Sequence, residues 1–60
     1  DAERAWRFIG SAACANHNAL MVNKAYNKLT SSEHKQMLQE LCMRNGLPFE
    51  DGHFRHSLSK

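Results

Sequence analysis

Residues 30–60 constrain the fold more than any other part of the chain. They read TSSEHKQMLQELCMRNGLPFEDGHFRHSLSK. Thr30-Ser31-Ser32-Glu33 has the order of a capping box, in which the Thr hydroxyl and the Glu carboxylate satisfy each other's free backbone amides. In the helix that follows, at 100° per residue, His34, Met37, Leu38, Leu41, Cys42 and Asn45 share one side. Lys35, Gln36, Gln39, Glu40, Met43 and Arg44 share the other. Gly46 stops the helix as a left-handed residue, and Pro48 follows where a helix cannot continue. Leu47 is expected to fold back onto the helix end.

Pro48 to Lys60 reads as two short strands around a turn. Phe49 begins the first, Glu50-Asp51-Gly52 makes the turn, and His53 to Leu58 makes the second. In that second strand Phe54, His56 and Leu58 alternate with His53, Arg55 and Ser57. The set with Phe54 and Leu58 is expected to face the core, which turns Arg55 outward.

The first half is less determined. Asp1 can cap a helix that opens with Ala2. Ala2, Ala5, Trp6, Ile9, Ala12 and Ala13 make one apolar stripe with Phe8 at its edge, and Arg4, Arg7 and Ser11 fall opposite. Asn16-His17-Asn18 prefers a turn. Ala19-Leu20-Met21-Val22 is a short apolar run that periodicity leaves open between helix and strand. The flanking Asn residues favour a separate short strand, and a helix running to Leu29 is the alternative. The fold class expected is α+β, a small antiparallel three-stranded sheet packed against two helices; the alternative is an all-α helical hairpin.

Sixty residues make one domain at most, burying only about 60% of the unfolded surface. The chain begins at Asp1, which fits a piece excised from a longer protein. Cys14 and Cys42 are too few for a disulfide scaffold. Cys42 falls on an apolar helix face, where a free Cys acts as a small hydrophobe. Two reduced thiols and an intracellular, nuclear or cytoplasmic, location are expected. No apolar run approaches the ~20 residues that span a bilayer, so no membrane partner is expected.

The formal net charge is +2, and its distribution says more than its size. No acid lies between Arg4 and Ser32, where Arg7, Lys24 and Lys28 stand. None lies from Gly52 to Lys60, which holds Arg55. Such segregation can build a positive face on a nearly neutral protein; solvated surface lysines are the bland reading.

The order helix, short strand, capped helix ending in Gly46-Leu47, strand, turn, strand resembles the R-three-H domain, named for an Arg-x-x-x-His on its second helix. Gln39-Glu40-Leu41-Cys42-Met43-Arg44-Asn45-Gly46-Leu47 matches the family's pattern at the end of that helix except at its His. Arg55 through Ser59-Lys60 matches the pattern of its last strand. The resemblance covers essentially the whole chain, better after Leu29 than before Leu20. It implies a small antiparallel sheet with helices on one face, and binding of single-stranded nucleic acid. Aligned on Gly46-Leu47, Lys35 stands where the family has its Arg and Gln39 where it has its His. Lys keeps the charge but loses the planar two-pronged grip on a phosphate.

Apart from any family, Lys35, Gln39 and Met43 form an i, i+4, i+8 stripe. A cation, an amide and a thioether suit a phosphate, a base edge and a base face; an ordinary wet helix face is the competing account. Arg55, Lys28 and Lys24 are expected to widen the stripe into a groove. The expectation is a monomeric, non-catalytic module for single-stranded RNA or DNA, without cofactor. The alternative is a module of the same fold that has lost nucleic-acid binding and serves a protein partner on the same helix face or a structural role. Zinc is a weaker candidate. Cys14, His17, Cys42, His53 and His56 supply ligand types, but the Cys-x-x-Cys pair of structural zinc is absent. Catalysis has no motif behind it. Trp6 lies in the apolar stripe and reads as core rather than as a base-stacking residue.

Overall fold

The computed structural model describes residues 1–56 and consists mainly of three helices. Helix α1 spans Ala2–Ala15, α2 Ala19–Lys28 and α3 Ser32–Arg44. Strands β1 (Phe49–Glu50) and β2 (His53–Phe54) form a two-stranded antiparallel hairpin. This overturns the expected three-stranded sheet on two helices. Residues 19–22, read as a strand, instead open α2, with the Asn18 side chain capping the Met21 amide at 3.2 Å. The Asn that suggested a strand boundary is a helix N-cap. The expected third strand is therefore a helix, and the sheet is a two-stranded hairpin beside three helices.

The two helix ends that precede α2 and β1 use the same device. The amide of Leu47 donates to the Cys42 carbonyl at 2.8 Å and that of Gly46 to Met43 at 3.1 Å. This is the Schellman pattern, with Gly46 at φ 87° as its left-handed residue. It buries Leu47, as expected. Helix α1 ends likewise: Asn18 donates to Ala13 at 2.8 Å, His17 to Cys14 at 3.0 Å, and His17 takes the left-handed position at φ 57°. A non-Gly residue there is uncommon; the His17 carbonyl lies 2.6 Å from the His56 ring nitrogen.

The buried face of α1 is turned about 90° from the stripe expected on it. Gly10, Ala13 and Cys14 are buried, while Ala2, Ala5, Ile9 and Ala12 are exposed. Three contacts fix the turn. Cys14 is bonded to Cys42, with Cα atoms 5.0 Å apart, which corrects the expectation of two free thiols. Glu3 reaches the start of α3. Gly10 lets α3 come close, since a Cβ there would stand 2.9 Å from Leu38 Cδ2.

The capping box is also corrected. Ser31, not Thr30, is the N-cap of α3, and its hydroxyl accepts from the His34 amide. The carboxylate that meets the free amides comes from Glu3 rather than Glu33: Thr30 donates at 3.0 Å and Ser31 at 3.2 Å.

The core runs from Cys14 and Cys42 through Val22, Leu29 and Leu38 to Leu47 and Phe54, with Trp6 packed at its edge. Asp51 and Gly52, at φ 55° and 84°, make the tight turn that pairs Glu50 with His53 and Phe49 with Phe54. Phe54 is buried. Its amide donates to Asn23 Oδ1 at 2.7 Å, and its carbonyl accepts from Asn23 Nδ2 at 3.1 Å. One side chain of α2 thus serves Phe54 as a neighbouring strand would. The strand expected over 53–58 ends at Phe54, and His56 is exposed. Leu58, with the matched Ser59-Lys60, lies outside the described residues.

Candidate nucleic-acid interface

Helix α3 buries Leu38 and Cys42 and carries a different flank on each side of them. One flank holds Lys35, Gln39 and Met43 and faces Tyr26 of α2. Gln39 Nε2 donates to the Tyr26 hydroxyl at 2.8 Å. The Lys35 ammonium lies 5.2 Å from the centre of the Tyr26 ring, within cation–π range. Met43 is 62% exposed.

Tyr26 is fixed from below. Its ring centre lies 4.9 Å from that of Phe49 and 5.3 Å from that of Phe54, and the two Phe rings are 4.8 Å apart. Such aromatic pairs contribute about 0.5–1.5 kcal/mol each beyond their buried area. Tyr26 and Phe49 are only partly buried, so an aromatic surface continues the Lys35–Gln39 stripe.

The electrostatics of this flank are simple. Among the described residues no carboxylate lies within 4 Å of Lys35. The Tyr26 O–H and the second Gln39 N–H have no acceptor there. The Lys35 ammonium and the Gln39 amide therefore flank the Tyr26 phenol, itself a third donor.

The other expected members are not gathered with them. Arg55 is held at the hairpin by Glu50, Nη1 to Oε1 3.5 Å, with both groups at least half exposed. Lys24 and Lys28 are exposed on α2 about 180° from Tyr26. Of the six residues expected to form one groove, the structure places Lys35, Gln39 and Met43 on one flank of α3 and Arg55, Lys24 and Lys28 elsewhere. Tyr26 is not among the expected residues because a strand over 19–22 gives it no face; on the α2 wheel it lies one position from buried Ala25, which is the signal that finds it.

The zinc reading loses its sulfur ligands, since Cys14 and Cys42 are bonded to each other. Among the described residues no three His, Cys, Asp or Glu side chains are grouped to hold a metal, and no helix is long and apolar enough to cross a membrane. His34 is hydrogen-bonded to Glu3 at 2.7 Å, as a packed residue.

No protein-family model matches this chain, and no curated protein or solved structure is significantly similar to it.

Proposed function

We propose that this domain is a non-catalytic module that binds single-stranded RNA or DNA weakly through the Tyr26 flank of α3. One observation carries the reading: the Lys35 ammonium, the Gln39 amide and the Tyr26 hydroxyl lie together on one face, with no carboxylate within 4 Å of Lys35 among the described residues. Lys35, the Tyr26 hydroxyl and the Gln39 amide would meet a phosphate, while Met43 and the edge of Phe49 would meet a base or sugar. Arg55, Lys24 and Lys28 act only through their longer-range charge. With the expected fold corrected, the proposal stands on this face and not on the family resemblance.

The test is an amide NMR titration with a short 5′-phosphorylated single strand at two salt concentrations. Shifts should centre on Tyr26, Lys35, Gln39 and Met43 and weaken with salt. Lys35→Ala should lower the salt slope by about 0.7, the loss of one single-strand phosphate contact. Binding that Lys35→Glu leaves unchanged would remove the site.

Location belongs to the same proposal and has a separate readout. A nuclear or cytoplasmic module is expected to keep its thiols reduced, whereas the Cys14–Cys42 bond suits an oxidising compartment. Alkylation of the thiols in intact cells decides between them. Free thiols support the intracellular proposal; blocked ones move the search for a partner outside the cytosol.

A further inference from the structure

The opposite flank of α3 carries a second surface, independent of the Tyr26 site. Between α1 and α3 lies an open groove of about 290 Å³. Leu29 and Leu38 form its floor, and Met37 and Leu41 its α3 wall. Arg7 of α1 and Arg44 of α3 stand on its two rims. Arg7 and Ser11 also border a second hollow of about 200 Å³, which Arg4 and Phe8 complete. The two hollows make one track along the outer side of α1.

Two properties of this track point to its occupant. First, it leaves large apolar groups in water: Phe8 is 69% exposed and Met37 51%. An exposed flexible Met and an exposed aromatic ring along one groove are the kind of anchors over which amphipathic helices seat their apolar side chains. Second, its charge is one-sided. Arg4, Arg7 and Arg44 have no carboxylate within 4 Å among the described residues, and Glu40 is the sole acid that lines the track.

We infer that this track docks an acidic amphipathic helix of a partner protein. Its apolar residues would cover Phe8, Met37 and Leu41, and its carboxylates would meet Arg4, Arg7 and Arg44. Running between two helices, it would complete a layer that α1 and α3 leave open. A single strand brings charge and flat base faces but no aliphatic side chains to enter the groove floored by Leu29 and Leu38, and that floor separates this flank from the Tyr26 flank.

The experiment uses the oxidised chain and a fluorescein-labelled helical peptide of about 15 residues, roughly four turns. Leu occupies one face and Glu the other, and a control peptide carries Lys in place of Glu. Fluorescence anisotropy should show the Glu peptide binding at least about tenfold tighter than the Lys peptide, as complementary charge requires. Arg7→Glu with Arg44→Glu should reverse that order, and the milder Arg7→Gln with Arg44→Gln should abolish it; circular dichroism checks that both variants keep their helices. Phe8→Ala should weaken both peptides alike. Lys35→Glu, on the other flank, should change nothing, so this inference and the nucleic-acid reading fail separately. Equal binding of the two peptides, indifference to the Arg variants, or displacement of the Glu peptide by anionic vesicles or a short single strand would overturn the assignment.

Discussion

Helix α1 is tied to α3 at both ends, by bonds of unlike kind. Near its C-terminal end Cys14 is joined covalently to buried Cys42. Near its N-terminal end the Glu3 carboxylate accepts the amides of Thr30 and Ser31, the Thr30 hydroxyl and a His34 ring contact, all within 2.7–3.2 Å. The first tie acts by limiting the unfolded chain and is indifferent to pH below the thiol range. The second acts on the folded state, as an anion set at the start of α3, and is indifferent to reductant. A chain this small uses two independent chemistries to set the angle and register of one helix pair.

Cutting the covalent tie gives the largest expected effect. The bridge closes a loop of 28 residues in sequence separation, worth about 3.5 kcal/mol in the chain-entropy account. A sixty-residue domain has a total stability of roughly 3–9 kcal/mol. Cys14→Ala with Cys42→Ala should therefore remove a third or more of the total stability, seen as a melting temperature lower by roughly 15 °C or more in helical circular dichroism. Reduction of the native chain should do the same. An unchanged melting curve in dithiothreitol would show that the noncovalent contacts alone hold α1 in place.

The hairpin sharpens the comparison, because it is held by neither tie. Among the described residues Asn23 provides for both backbone groups of Phe54. Asn23→Ala leaves a partly buried amide and carbonyl without those partners, a cost of about 2 kcal/mol. The loss should be local. Hydrogen exchange at the Phe54 amide should accelerate while amides of α1, which the two ties protect, slow or hold. Uniform acceleration would mean that hairpin and helices open as one unit.

How far the sequence disclosed this arrangement depended on the range of the signal. The end of α3 at Gly46 and the Asp51-Gly52 turn were legible because each is a local backbone requirement met by residues a few places apart. The 19–22 run was misread because four apolar residues satisfy either period, and Asn18 marks a turn or a helix start equally well. The α1 stripe was misplaced for another reason. Alanines set the apparent apolar face, but Gly10, Cys14 and Glu3 set the real one through contacts 27 or more residues away. The Tyr26 site combined both failures, since Lys35 and Gln39 could be placed on one face while their partner on α2 could not.

The electrostatic tie gives the smallest expected effect and the most specific signature. Hydrogen bonding from His34, then from the Thr30 amide, holds the Glu3 carboxyl down from its ordinary 4.5 to about 2. A group whose folded value lies below its unfolded value stabilises the fold above the unfolded value, and that stability is lost as pH falls toward the folded value. The Glu3 contribution should thus be complete above pH 4.5 and fade between about 4.5 and 2. Glu3→Gln keeps the shape but sets an amide N–H against donors at Ser31 and His34. Its melting temperature should be lower than that of the parent chain at neutral pH, and the two should converge toward pH 2. Reduction of the disulfide should lower both curves without altering their convergence. Parallel curves for parent and Glu3→Gln across the acid range would show that the carboxylate positions α1 without stabilising it, and would leave the covalent tie as the one that sets the helix pair.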